Sequence, residues 1–186
     1  FPGRNNLVVD LRAVHPEITS IVQNVNPRIT PVVLGDLERV IYGKGYIEDI
    51  LMGKRFRIGA KTFFQVNPKQ TEVLYRKAIE FAKPKATDIV VDAYSGVGTI
   101  AIILSDLVAK VHAIEINPAS VKSAMQNAWL NGVKNVEFHQ GDAVHFIAAV
   151  AKEGITPDIV VVDPPRQGLD PAFVNALVGV KPPNTE

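Results

Sequence analysis

The chemistry is densest in four short stretches, each following a run of β-branched residues. The first is Asp92-Ala93-Tyr94-Ser95-Gly96-Val97-Gly98-Thr99. Its glycines permit a tight turn and let a ligand approach the backbone closely at a helix N-terminus. The second is Glu115, ahead of Ile116-Asn117-Pro118. A carboxylate there can accept hydrogen bonds from both hydroxyls of a ribose. The third, Gly141-Asp142, offers a carboxylate either to an adenine amino group or as a cap to the helix that follows. The fourth is Asp163-Pro164-Pro165-Arg166-Gln167-Gly168-Leu169-Asp170. Its paired prolines fix the backbone and remove two donors, forming a rigid ledge that holds Asp163.

Taken alone, Gly96-Val97-Gly98-Thr99-Ile100-Ala101 fits a relaxed dinucleotide fingerprint, so a nicotinamide nucleotide stays open at that point. The remaining pattern favours another ligand. A carboxylate at Asp92 would repel a pyrophosphate. A sulfonium amino acid is positively charged and suits nearby carboxylates. S-adenosylmethionine is therefore the expected cofactor.

The elements that must position these residues follow from periodicity. From Asn67, a cap with Pro68 at the first helical position, a helix is expected over Lys69–Ala82, burying Val73, Leu74, Ala78 and Phe81. Strands at Asp88–Asp92, Lys110–Ile116, Asn135–Gln140 and Asp158–Asp163 then alternate with helices at Thr99–Val108, Ala119–Asn131, Ala143–Lys152 and Pro171–Val178. That alternation means right-handed βαβ units and a parallel sheet, whose ligands sit beyond the carboxyl ends of its strands. Residues 1–61 read differently: a helix with Leu7, Val8, Leu11 and Val14 on one face after an Asn5-Asn6 cap, then short β runs at Ile18–Val25, Val32–Leu34, Arg39–Tyr42, Tyr46–Met52 and Arg55–Ile58. The expected organisation is a β-rich element over 1–61 and an α/β Rossmann-like domain over 62–186.

Composition sets bounds. Of 186 residues, 47% are apolar and 21% charged, which fits an ordinary globular chain. There is no cysteine, so disulfides, cysteine-based zinc sites and a cysteine nucleophile are excluded from these residues. No apolar run reaches the roughly 18–20 residues of a membrane span. His15, His112, His139 and His145 lack metal-ligand spacing, so no metal is expected. Residues 1–61 carry a net charge of +3 and the remainder −2. A polyanion would meet the Lys54, Arg55, Arg57 and Lys61 cluster, unless that cluster is simply a solvated strand face.

Phe63-Phe64-Gln65-Val66-Asn67-Pro68, the Asp92–Thr99 stretch, Glu115-Ile116-Asn117 and the Asp163–Asp170 stretch together resemble the RNA uracil-5-methyltransferases, in that family's order and spacing. Ser20–Asn26 resembles the family's central part. The resemblance implies a Rossmann-like S-adenosylmethionine-dependent methyltransferase fold. It also implies cofactor contacts from Gln65, Tyr94, Gly96, Glu115, Asp142 and Asp163, added contacts from Thr99, and Arg166 near substrate. The implied reaction is methylation of uracil carbon 5 in RNA, with 23S ribosomal RNA expected, transfer RNA as the alternative, and a non-catalytic RNA-binding module as the rival class. The family uses a cysteine thiolate, which adds at carbon 6 so that carbon 5 becomes nucleophilic, and later a general base. Both are expected beyond Glu186, making the chain part of a longer cytoplasmic protein, prone to self-associate along an uncovered sheet edge. The chain by itself is accordingly expected to leave uridine-containing RNA unmethylated in a radiolabelled methyl-transfer assay, and cysteine-free incorporation would refute that.

Overall fold

The computed structural model describes residues 3–29, 33–152 and 156–180. They divide into two compact units, one of residues 1–49 with 57–61, the other of residues 50–56 with 62–186.

In the first unit α1 (Arg4–Val14) precedes β1 (Ser20–Val25) and β2 (Leu37–Gly43). β1 and β2 pair antiparallel from Ser20 opposite Gly43 to Val25 opposite Leu37, with an irregularity between Ile21 and Val22. The helix starts at Gly3 in a left-handed conformation without a side-chain cap, so Asn5 and Asn6 lie inside the helix rather than capping it. None of its side chains is buried. Of the expected run Val32–Leu34, Val32 lies outside the described residues and the other two are irregular. β3 (Tyr46–Leu51) and β4 (Lys54–Gly59) form a second two-stranded sheet. They are joined by Met52 and Gly53, both at positive φ, as the twist of a tight hairpin demands.

The second unit carries the expected alternation: α2 (Pro68–Ala82), β5 (Ile89–Ala93), α3 (Thr99–Leu104), β6 (Lys110–Glu115), α4 (Pro118–Leu130), β7 (Val136–Gln140), α5 (Ala143–Lys152), β8 (Ile159–Val162) and α6 (Pro171–Gly179). The sheet order is β7-β6-β5-β8, with all pairings parallel. Strand pleating sorts the core onto two faces. Val91, Ala93 and Ile114 pack with Ile147 and Phe173 on the α5–α6 side. Val90, Val111 and Ala113 pack with Ala101 and Leu104 on the other. Complete burial of Ile147 and Phe173 stabilises by roughly 1.5–3 kcal/mol each.

Two expectations change in this unit. α2 turns Thr71 and Tyr75 inward, whereas Val73, Leu74, Ala78 and Phe81 are exposed. The inward row is polar by type yet satisfied: the Thr71 hydroxyl donates to the Asn67 carbonyl at 2.8 Å, and the Tyr75 and Thr99 hydroxyls pair at 3.3 Å. α3 ends at Leu104 rather than Val108. The Asn135 amide holds the following loop by donating to the Ser105, Val108 and Ala109 carbonyls.

Gly98, at φ +80°, ends the turn that enters α3. A Cβ there would stand 3.1 Å from both the Ala124 Cβ and Phe138, so both the backbone conformation and its neighbours require glycine. Gly98→Ala is expected to cost on the order of 1–3 kcal/mol in urea unfolding. Gly141→Ala, where a Cβ meets nothing within 4 Å, should stay within about 0.5 kcal/mol of the parent.

Candidate functional site

The site is built on the turn after β5. Tyr94, Gly96 and Gly98 all have positive φ, so within five residues the chain is forced three times into a region that non-glycine residues avoid. Hydrogen bonds hold this shape. The Ser95 N–H donates to the Ile114 carbonyl at 2.9 Å, and the Gly98 N–H to the Ser95 carbonyl at 2.8 Å. The Glu115 carboxylate accepts from the Gly96 N–H at 2.9 Å through one oxygen and from the Asn117 N–H at 2.7 Å through the other. One side chain at the end of β6 thus ties the β5 turn to the start of α4. Each carboxylate oxygen has a second lone pair, so Glu115 retains capacity to accept from a ligand.

Beside this turn lies a cleft lined by Phe63, Phe64, Gln65, Tyr75, Tyr94, Ser95, Gly96, Val97, Thr99, Ile100 and Asp163. The Ser95 hydroxyl on its wall is buried without a hydrogen-bond partner. A Cβ on Gly96 would meet nothing within 4 Å. The Asp163 carboxylate is exposed at the end of β8, and among the described residues it makes no hydrogen bond.

Behind the turn, Asp92 is wholly buried. One of its oxygens accepts from the Ala101 N–H at 3.0 Å, in the first turn of α3, and the other has no partner. Burial pushes its carboxyl up to about 7; the Ala101 hydrogen bond pulls it back, and the negative charges of Asp163 and Glu115 add to the rise. The negative charges of Asp163 and Glu115 thus bear on one turn, giving a potential that favours a cation. Tyr94 packs its ring on Phe173, centroids 5.8 Å apart. Its phenol is raised by burial and by the charges of Asp142 and Asp170, so it stays protonated as a donor.

Of the residues singled out from sequence, Gln65, Tyr94, Gly96 and Asp163 line this one cleft, and Glu115 is bonded to its wall. Two stand apart from the lining. Asp142 is exposed and caps α5, accepting from the Val144 and His145 N–H groups at 2.8 and 3.2 Å. Arg166 is exposed in the turn closed by the Gly168 N–H donating to the Pro165 carbonyl. Asn67 caps α2 as expected, accepting from the Gln70 N–H. Tyr75 is a lining residue that sequence reading missed. Its signal is its place between Thr71 and Ile79, at four-residue spacing on one face of α2, and Ile79 packs on the core.

The basic cluster is largely committed to partners within the chain. Lys54 pairs with Asp106 at 2.7 Å, Arg57 with Glu48 at 3.0 Å, and Lys61 donates to the Asp36 carbonyl at 2.6 Å. Among the described residues the Arg55 guanidinium has no such partner, and none of the helices is long and apolar enough to cross a membrane.

The family model for tRNA (uracil-5-)-methyltransferase matches residues 23–180. An uncharacterized RNA methyltransferase of Oceanobacillus iheyensis is 43% identical over 98% of this chain and 40% of its own length. A relative of the same description from Caldanaerobacter subterraneus is 44% identical over the same shares. The chain thus spans about two fifths of the curated relatives it matches. Among solved structures, the Pyrococcus abyssi tRNA (uracil-54, C5)-methyltransferase in complex with S-adenosyl-L-homocysteine superposes with a TM-score of 0.73 at 31% identity. That match covers 92% of this chain and 41% of the other. A SAM-dependent methyltransferase from Agrobacterium tumefaciens, 18% identical with a TM-score of 0.66 over 92% of this chain and 58% of its own, shares the fold.

The Asp92 carboxyl has a defined effect on stability. Its folded value of about 7 lies above the ordinary 3.8. The folded state therefore keeps a proton that the unfolded chain releases, and this contribution is present below the lower value and lost as pH climbs through the upper one. Asp92→Asn keeps an acceptor for the Ala101 N–H. In urea unfolding at about pH 5 and about pH 8, the parent should lose more stability than Asp92→Asn on going to the higher pH. Equal changes in the two proteins would show that Asp92 is not titrating in that range.

Proposed function

The chain belongs to the tRNA (uracil-5-)-methyltransferase family, and on that premise we propose that it forms the S-adenosylmethionine-holding part of an enzyme that methylates uracil carbon 5 in RNA. The observation that carries the reading is the tether at Glu115. Its carboxylate is fixed at both oxygens by backbone N–H groups of the β5 turn and the α4 start, with lone pairs to spare.

The residues present fit that cofactor. The buried, unpartnered Ser95 hydroxyl on the cleft wall has a hydrogen bond to give. The open space at Gly96 lets a ligand reach the backbone. The charges of Glu115 and Asp163 at the turn offset a positive charge. When bound, S-adenosylmethionine supplies a methyl group on a cationic sulfur.

In this reading Glu115 accepts from the ribose hydroxyls. Gln65, Tyr94 and Gly96 border the methionine portion, and the unpaired Asp163 carboxylate faces its charge. Asp142, one oxygen of which caps α5, offers the other to the adenine amino group. Arg166, exposed one turn beyond Asp163, meets RNA phosphate, since guanidinium is suited to phosphate recognition. A target uracil within structured RNA must leave its stack to reach the cleft. These 186 residues contain no cysteine, so we assign them cofactor binding and orientation and not the covalent step at carbon 6.

For the substrate we propose 23S ribosomal RNA. A second reading, transfer RNA, is favoured by the likeness to the Pyrococcus abyssi enzyme.

Calorimetric titration with S-adenosylmethionine, which carries the sulfonium charge, tests the cofactor site. The parent chain should bind saturably. Asp163→Ala, which removes an exposed side chain bonded to nothing described, should weaken binding about ten- to hundredfold, as loss of a charged hydrogen-bonding group does. No saturable binding to the parent, or unchanged binding in the variant, would overturn the assignment of Asp163.

A further inference from the structure

A second constellation lies away from the strand-tip cleft, made by pairing rather than by sequence spacing. The parallel register of β6 and β7 sets His112 opposite Glu137 and Ile114 opposite His139. Alternation then places His112, Glu137 and His139 on one sheet face. Phe146 of α5 walls the group, its ring 5.9 Å from that of His112 and 4.6 Å from that of His139.

The donor atoms converge. His112 Nδ1 and His139 Nε2 are 3.0 Å apart. Glu137 Oε2 lies 3.5 Å from the first and 4.0 Å from the second. A zinc ion with Zn–N and Zn–O bonds of about 2.0–2.1 Å in tetrahedral geometry spaces its donors about 3.3–3.4 Å apart. The three atoms therefore already approximate one face of that tetrahedron, and tenths of an ångström of side-chain movement complete it. The other oxygen, Glu137 Oε1, is held by Lys110 Nζ at 2.8 Å. Such support is what a ligating carboxylate needs, and it leaves Oε2 turned toward the imidazoles. Burial foremost holds both histidines below their ordinary pKa, in the neutral form that ligates. Glu137 is half exposed and His139 one-third exposed, so an ion can enter from solvent and keep a water as its fourth ligand.

We propose that His112, Glu137 and His139 bind one borderline divalent transition-metal ion, of which Zn²⁺ is the type, bridging β6 to β7. Two imidazoles and one carboxylate select such an ion over Mg²⁺ or Ca²⁺, which prefer all-oxygen shells. At present one ring nitrogen must donate its hydrogen to the other. On binding, that ring moves its proton to its outer nitrogen, and both inner lone pairs go to the metal. This site is independent of the cofactor cleft and of the methyltransferase reading.

The test titrates the whole chain with ZnCl₂ by calorimetry at neutral pH, with MgCl₂ in parallel. The expected result is one saturable Zn²⁺ site and none for Mg²⁺. Glu137→Gln changes a half-exposed side chain, and His139→Ala removes one ligand. Each should weaken Zn²⁺ binding about tenfold or more, while His15→Ala should leave it unchanged. Zn²⁺ should also raise the melting temperature of the parent and not that of His139→Ala. If His139→Ala fails to fold, Glu137→Gln decides alone, together with loss of the visible absorption that Co²⁺ gives in the parent site. Absence of saturable Zn²⁺ binding, or binding that Glu137→Gln leaves intact, meaning an adventitious ion only, would overturn the proposal.

Discussion

The site depends on one carboxylate engaged at both ends. Glu115 accepts from Gly96 on one side and Asn117 on the other. Neither contact is strong alone; a hydrogen bond to a charged group adds about 1.5–3 kcal/mol. Their importance is geometric. The turn after β5 contains three residues at positive φ, a conformation with no intrinsic preference for a single shape in a loop so rich in glycine. The bond from Gly96 to a rigid strand end selects one shape, and the bond from Asn117 fixes the same carboxylate to α4. The cleft wall is thereby referenced to the parallel sheet, whose own position is set by two packed faces.

The same arrangement has a cost that packing elsewhere must offset. Asp92 is buried with an unpartnered oxygen, and its carboxyl is lifted by burial and by neighbouring negative charge. An apolar residue would serve the core better at that position. Its value is local. Its bonded oxygen anchors the first turn of α3 through Ala101. A region that carries excess negative charge without a cation is strained electrostatically, and a positively charged ligand relieves that strain on binding.

The parallel sheet was legible because buried strands appear as continuous β-branched runs, such as Val90-Val91 and Val160-Val161-Val162, and because asparagine followed by proline marks helix starts at Asn67 and Asn117 with little ambiguity. Asp170 likewise precedes a proline and caps α6, accepting from Ala172 at 2.7 Å. Two things were hidden. The inward face of α2 runs through Thr71, Tyr75 and Ile79, and the first two have polar atoms satisfied locally, so hydropathy pointed to the wrong side. The meeting of His112 with His139 depends on the register between two strands, and no spacing within one segment encodes that register. Linear motifs report what a strand end carries; they do not report which side chains a neighbouring strand places beside it.

The aspartates that follow the strands show how context assigns roles to one residue type. Asp92, Asp142 and Asp163 each stand at or just past a strand end, yet their oxygens meet different fates. Asp142 uses one oxygen to cap a helix. Asp92 is sealed beneath a helix start. Asp163, following the short strand β8 and preceding two prolines that have no N–H to offer it, is left with its carboxylate in solvent and no partner among the described residues. The capping oxygen of Asp142 and the bonded oxygen of Asp92 stabilise the fold where they stand. A carboxylate denied local donors by adjacent prolines and placed on the wall of a cleft keeps all its lone pairs open to a partner from outside the chain.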